Sequence, residues 1–321
     1  MNTNFNSVVL VSFLIPTYNR ANLLPQCIES ILSQTYKNIE IIVIDDASTD
    51  GTEDVINSKF KGRVKYYKNN VNRGVAYSRN LGLSYANGKY IGLLDSDDLL
   101  CESDCVEIAL KVLDSNPEIG VFTCDAYCID LKGNKIYEKT FFQTTIDHRN
   151  IKLSSGIKDF DYVFCHGVHS CGAIFRKDIT KEIGFLNTDY KITWDEDFFL
   201  RIAADSRFKI YYHNAPLAGY RIHNNSFSSN LSELYREKIK ARYSIIESNR
   251  HLKARLGKKF NRRIADQYYC LADAYAKENK LLFSLAAALK AIIIYPPIIL
   301  ASIAKILDSR NKSPEAKALK R

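Results

Sequence analysis

The sequence predicts an α/β protein: a mostly parallel sheet flanked by helices, followed by a helical C-terminal extension. Three observations carry that expectation. The apolar, β-branched runs Val8–Ile15 and Ile39–Asp45 read as parallel strands buried on both faces. Between them, Leu23/Leu24, Cys27/Ile28 and Ile31/Leu32 recur at three- and four-residue steps, the spacing of a helix with one buried face. Strand and helix patterns then keep alternating, as βαβ units do.

In chain order, the first strand is expected to end at Pro16 and the second at the turn-rich "DASTDGT". Glu53–Phe60 reads as helix and Val64–Tyr67 as a short strand. Val75–Ala86 is again helical, and Tyr90–Leu94 is the next strand. Beyond residue 120 the pattern loosens. Val121–Tyr127 and Ala173–Arg176 read as strands, with a Gly/Ser/His-containing loop at about 154–172 between them. "WDEDFFLRIAA" resumes a helix and "FKIYYH" a strand. From about residue 231 the chain reads as helix throughout, dividing it into residues 1–230 and 231–321.

Composition narrows the function classes. With 46% hydrophobic and 25% charged residues the chain is globular rather than disordered. Its +9 charge is uneven: residues 1–230 hold 25 Lys and Arg against 28 Asp and Glu, whereas residues 231–321 hold 20 against 8. The basic surplus lies wholly in the C-terminal part, so nucleic acid is not expected as a partner of the first 230 residues. Cys101/Cys105 and Cys124/Cys128 are four apart, not the C-x-x-C of a zinc ribbon. These four and Cys27, Cys165, Cys171 and Cys270 are expected to be free thiols in a reducing cytoplasm. Val8–Ile15 lacks the basic leader and small-residue cleavage site of a secretory signal.

In open α/β sheets ligands sit beyond the carboxyl ends of the strands. Three polar clusters fall there: "PTYNR" (16–20), "DDASTDGT" (45–52) and "DSDD" (95–98). No G-x-G-x-x-G follows the first strand and no G-x-x-x-x-G-K-[ST] occurs, which disfavours a dinucleotide dehydrogenase and excludes a P-loop NTPase. "DSDDLLCESDCV" fails as a calcium hand, having Leu100 at its sixth position and Val106 at its twelfth. An extended chain would turn Asp95 and Asp97 to one face and Ser96 to the other. Hard oxygens so presented suit Mg²⁺ or Mn²⁺ bridging to phosphates; a solvated acidic turn capping the next helix is the alternative.

"SFLIPTYNR", "IEIIVIDDASTDGT", "NRGVAYSRNLGLSYANGKYIGLLDSDD" and "WDEDFFLR" follow one another in that order. Together they resemble glycosyltransferase family 2 over roughly residues 8–230. The resemblance implies the GT-A fold, a Rossmann-like nucleotide-diphospho-sugar transferase, and inverting transfer from a UDP-sugar with Mn²⁺ or Mg²⁺. The acceptor would be a saccharide or glycolipid of cell-surface polysaccharide synthesis. A non-catalytic sugar-nucleotide-binding scaffold is the alternative, and a nucleotidyltransferase is disfavoured because "PTYNRANLLP" lacks a Gly-rich basic loop.

Residue by residue, the resemblance places Pro16, Thr17, Tyr18, Asn19 and Arg20 around the nucleotide. Asp46 would accept from the uracil ring, with Asp45 beside it or capping the next turn. Arg73, Arg79 and Asn80 would approach the diphosphate, with Gly74 letting the backbone come close, although Arg79 could instead pair with a local acid. Asp95, Ser96 and Asp97 would contact nucleotide and metal, with Asp98 and His223 as further metal ligands. Arg221 and Ser226, in "YRIHNNSFSS", would reach the diphosphate from a closing loop. Glu196-Asp197 maps onto the family's acid pair, making Asp197 the expected base; Asp195 reads as a helix-start acid. Trp194 packs or stacks on an acceptor sugar, and His166 and His169 fall where acceptor loops are expected.

The C-terminal run "LLFSLAAALKAIIIYPPIILASIAKIL" is interrupted by Lys290 and Pro296-Pro297, and its longest uncharged stretch, Ala291–Ala304, has 14 residues. That is short of the roughly 20 a span requires. Two readings stand: a packed helical hairpin, or a basic amphipathic module on anionic lipid at the cytoplasmic face of the membrane. Lys305, Arg310, Lys312, Lys317, Lys320 and Arg321 follow the run and motivate the second.

Overall fold

The computed structural model describes residues 9–146, 154–223, 226 and 229–298. The chain divides into two units, Met1–Ser229 and Asn230–Arg321. The first runs β1 (Val11–Thr17), α1 (Leu24–Leu32), β2 (Ile39–Asp45), α2 (Thr52–Val55, continued by a π-helical turn Ile56–Phe60), β3 (Lys65–Lys68), α3 (Val75–Tyr85) and β4 (Tyr90–Leu93). Then come β5 (Leu99–Leu100), α4 (Cys105–Ser115), β6 (Ile119–Ile129), α5 (Phe141–Ile146), β7 (Gly156–Lys158) and α6 (Phe160–His166). It closes with β8 (Ala173–Arg176), α7 (Ile179–Ile183), α8 (Trp194–Ala204) and β9 (Lys209–Arg221).

The strands form one sheet in the order β3-β2-β1-β4-β8-β6-β9-β5, with β7 also paired to β9. β1 to β4 are mutually parallel, and β6 and β9 form a second parallel pair. β8 runs antiparallel between β4 and β6, and β5 and β7 run antiparallel to β9, so the sheet is mixed. Every residue of β1 is buried, as a central strand with helices on both sides requires. α1 buries Leu24, Cys27, Ile28 and Ile31 on one stripe, with Pro25 in its first turn where no backbone donor is missed.

Two boundaries differ from the sequence reading for a physical reason. β1 continues through Pro16 to Thr17, pairing Pro16 with Ile44 of β2. On its other side the pairing with β4 ends at Leu14, so proline sits where β1 has only one neighbour. β9 extends eight residues past His213, to Arg221, because it pairs along β6 through register shifts near Cys124 and Asp125. The short strands β5 and β7 and the short helices α5 to α7 have too few residues to stand out in sequence, whereas α4 buries Cys105, Val106, Ala109, Leu110 and Leu113 on one helical stripe. Glu40, on β2, ties four segments: its carboxylate accepts from Ser12 Oγ (2.5 Å), Lys65 Nζ (2.5 Å) and the Asn87 amide (2.6 Å).

The second unit holds α9 (Leu231–Ser248), α10 (Arg250–Leu256), α11 (Lys258–Lys277) and α12 (Leu281–Ile294). Asn230 caps α9 by accepting from the Glu233 amide. Gly257, at φ 52°, separates α10 from α11, and Asn279, at φ 59°, turns α11 into α12. Ile239, Leu271, Ala272 and Ala287 form one small core, with Tyr235, Tyr243, Tyr268 and Tyr275 against it. Among the described residues no helix is long and apolar enough to cross a membrane.

Candidate active site

Because β1, β2 and β4 are parallel, the segments that follow them emerge at one sheet edge, and a web of hydrogen bonds joins the first two. Asp46 N donates to Thr17 O (2.8 Å), Asn19 N to Ser48 Oγ (2.8 Å) and Thr49 N to Asn19 Oδ1 (2.8 Å). Asn19 adopts φ 52°, a left-handed conformation that asparagine tolerates. Asp45 is buried, accepting from Ser48 N (2.7 Å) and Tyr66 Oη (2.5 Å), which is the turn-capping arrangement. Asp46 accepts from Asn69 Nδ2 (2.7 Å), Arg73 N (2.9 Å) and Gly74 N (2.7 Å), pinning the segment before α3 to the end of β2. At Gly74 no protein atom lies within 4 Å of a built Cβ; what glycine supplies there is φ 89°. Of the other residues after β1, Pro16 and Thr17 are buried, Thr17 with its Oγ1 unpartnered, and Tyr18 is exposed.

Beyond β4 the chain does not stay extended. Asp98 N donates back to Asp95 O (3.0 Å), closing a turn with Ser96 buried inside it. That turn, rather than strand alternation, brings carboxylate oxygens of Asp95, Asp97 and Asp98 within 4.8 Å of one another. At that separation two unit charges repel by about 3.5 kcal/mol at an effective dielectric of about 20. Two guanidinium groups offset part of this: Arg79 Nη2 lies 2.7 Å from Asp95 Oδ1 and Arg20 Nε 3.7 Å from Asp97 Oδ2. The His223 imidazole Nε2 lies 2.9 Å from the same Asp97 oxygen. Asp97 is held below the usual carboxylate range: burial pushes it up, but His223 and Arg20 outweigh that. Asp98 is raised well above it by burial first, then by Asp97 and Asp95. The cluster as it stands is short of positive charge.

Four more of the sequence-assigned polar residues have the following surroundings. Arg221 is buried, donating from Nε to Asp97 O (2.5 Å), from Nη1 to Asp130 O (2.5 Å) and from Nη2 to Gln26 Oε1 (3.0 Å). Its amide also donates to Asp98 Oδ1 (2.9 Å), so β9 shapes the acidic turn. Asn80 makes a two-way clasp with the backbone of Leu186 (2.8 and 3.0 Å). Arg73 is exposed, lying 4.4 Å over Tyr77. The Ser226 amide donates to His223 O (3.2 Å). Gln26 and Asn69, which hold Arg221 and Asp46, carried no sequence signal because their partners are distant in the chain.

Arg79 differs. It is only 1% exposed, lies 4.0 Å over the Trp194 ring, and leaves Nε and Nη1 without a protein acceptor. Trp194 begins α8, so this stack sets the first turn of α8 beside Asp95. On that turn Asp195 Oδ1 accepts from Glu196 N (2.8 Å), while Asp197 Oδ2 accepts from Arg201 Nε (2.9 Å). Arg201 is itself fixed by Ile183 O (2.7 Å) and Phe185 O (2.9 Å). His169 accepts the Cys171 amide at Nδ1 (3.2 Å) and packs against Phe141 and Tyr220; His166 packs against Tyr162. All eight cysteines are free.

The sheet and the acidic turn at its edge define a GT-A transferase fold. Solved structures share that architecture at low identity. The mannosyltransferase PcManGT of Pyrobaculum calidifontis, in complex with GDP-Man and Mn²⁺, superposes with a TM-score of 0.59 at 19% identity, covering 96% of this chain and 82% of that one. TarS 1–349 of S. aureus in complex with UDP gives 0.54 at 15% identity, covering 91% and 92%. Residues 12–184 match Glycosyl transferase family 2, and the chain belongs to that family. It is 33% identical over 246 residues to the E. coli WfaP, a UDP-Glc:α-D-GlcNAc-diphosphoundecaprenol β-1,3-glucosyltransferase, covering 74% of this chain and 90% of WfaP. It is 30% identical over 233 residues to the glycosyltransferase GlyA of Streptococcus pneumoniae, covering 68% of this chain. The match spans only 31% of GlyA and 64% of a Rickettsia typhi relative, an uncharacterized glycosyltransferase.

Proposed function

We propose that this chain is an inverting, metal-dependent glycosyltransferase that moves a sugar from a UDP-sugar to a saccharide or lipid-linked saccharide acceptor. The observation that carries this is the convergence of three carboxylates and an under-partnered Arg79 at the carboxyl edge of the parallel strands. UDP in TarS and UDP-Glc in the name of WfaP support the donor class, and the diphosphoundecaprenol in that name supports a lipid-linked acceptor.

The donor set fits a hard divalent ion. Three carboxylates within 4.8 Å, with Asp98 pushed up by burial and then by Asp97 and Asp95, form an all-oxygen group short of positive charge, and His223 adds an imidazole. Asp97, Asp98 and His223 would hold Mn²⁺ or Mg²⁺, which when bound would neutralise charge on the departing diphosphate. Arg79 Nε and Nη1 would donate to diphosphate oxygens, their buried position excluding water from the contact. Pro16 to Arg20 and the Asp45-Asp46 turn would wall the nucleotide, and Asp46, with three donors already on its carboxylate, would offer its remaining lone pair to the base.

The proton of the attacking hydroxyl goes to an acid on the first turn of α8. The sequence reading favours Asp197, with Glu196 beside it. Asp197 is committed to Arg201 and 7% exposed, which suits a strut. We therefore assign the base to Asp195, half-buried one residue after the Trp194–Arg79 stack. Incubation with a panel of nucleotide sugars, with and without divalent metal, should give UDP release from one UDP-sugar only when metal is present. Release that is indifferent to metal, or none from any UDP-sugar with acceptor lipid supplied, would defeat the reading.

A further inference from the structure

Helix α12 is built the wrong way round for a globular protein. It packs on α11 with its alanines: Ala287 clusters with Leu271 and Ala272, and Ala291 with Ala265. Ser284 Oγ reinforces that side by donating to Ala272 O (2.8 Å). At about 100° per residue, Leu281, Leu282, Leu285, Leu289 and Ile293 share an arc of about 120° on the opposite side. These five are between 59% and 82% exposed. A contiguous stripe of large aliphatic side chains in water marks an interaction surface.

We propose that this stripe seats the chain on an anionic lipid surface, with α12 lying in the interface plane. Charge selects the occupant. Residues 230–298 hold 14 Lys and Arg against 6 Asp and Glu, a surplus of eight positive charges. Lys280 precedes the helix and Lys290, exposed, borders the stripe. A second copy would bring a like surplus against the first, whereas anionic headgroups are attracted to it. The chain's own residues 299–321 are no better suited electrostatically, holding 6 basic residues against 2 acidic. At 14 residues α12 is about 21 Å long, short of the ~30 Å hydrocarbon thickness, so it lies along the surface rather than crossing it. The seat deepens the lipid-linked acceptor reading, which it would bring to the substrate's own plane, but stands on α12 alone.

The test is co-sedimentation of the full chain with vesicles of phosphatidylcholine, alone or mixed with phosphatidylglycerol, at low and high salt. Wild type should bind the mixed vesicles at low salt, bind pure phosphatidylcholine weakly, and be partly released by salt. Leu285→Ser with Leu289→Ser should weaken binding by roughly tenfold or more while leaving vesicle-free UDP release unchanged. Equal binding by both proteins would overturn the proposal. So would a wild-type dimer that the variant fails to form, since the stripe would then belong to a second copy. A monomer that ignores vesicles would leave the stripe to residues 299–321 and overturn it equally. Intact vesicle binding with no UDP release from any donor would refute the transfer chemistry and leave the seat standing.

Discussion

Arg201 Nε donates to Asp197 Oδ2 at 2.9 Å from one helical turn away, and the same guanidinium holds the backbone carbonyls of Ile183 and Phe185. The pair ties α8 to the segment that follows α7. Asp197→Asn should therefore lower stability by about 2 kcal/mol, less than a fully buried pair because Arg201 is partly exposed. Asp195→Asn should leave the urea midpoint in place and reduce the UDP-release rate by roughly 10²–10⁴ with little change in donor KM. The reverse pattern, a stable but inactive Asp197→Asn beside an active Asp195→Asn, would return the base to Asp197.

Arg79 offers two unpartnered donors in a dry position, so its loss should be felt by the nucleotide. Arg79→Lys keeps the charge but not the fork, and should weaken UDP affinity by roughly ten- to a hundredfold in calorimetry with Mn²⁺ present. Unchanged affinity would mean that Arg79 serves only to position Trp194 and Asp95.

Asp98 sets stability against activity. In the metal-free chain, Asp98→Asn should raise stability by about 1–2 kcal/mol, because it removes one member of a mutually repelling trio while keeping the acceptor for the Arg221 amide. The same variant should need more Mn²⁺ for half-maximal UDP release. A fall in metal-free stability would show that the repulsion is already fully compensated.

Acid sensitivity should trace in part to Glu40. Burial pushes its carboxyl up, but bonds from Lys65, Ser12 and Asn87 bring it to about 2, against an ordinary value of 4.5. Because the folded value is depressed, this contribution is complete above about pH 4.5 and is lost as pH falls toward 2. Glu40→Gln should be less stable than wild type at pH 7, with the gap closing between those limits in denaturant titrations. A gap independent of pH would rule out this linkage.

Removing Arg221 should damage folding before chemistry. Arg221→Ala strands the Asp97 and Asp130 carbonyls and Gln26, and should cost about 3–5 kcal/mol in urea unfolding, with Arg221→Lys recovering little of it. A stable Arg221→Ala that loses only nucleotide affinity would recast the residue as a phosphate ligand.

The sequence alone determined the α/β class, the parallel β1 to β4 block and the three polar clusters at its carboxyl edge, because hydrophobic period and strand-end placement are written in runs of five to ten residues. It did not reveal β5 or β7, which are too short to carry a period, and although Ala173–Arg176 read as a strand, its antiparallel direction as β8 was not written in it. Tertiary structure alone decided which of these polar residues bond to distant parts of the chain. Arg221 reaches Asp97 across 124 residues and Asn80 reaches Leu186 across 106. Likewise, the inverted packing of α12 became visible only once Ala287 and Ala291 were seen to face α11. Periodicity identifies a face, but which face is covered depends on a neighbour that local sequence does not specify.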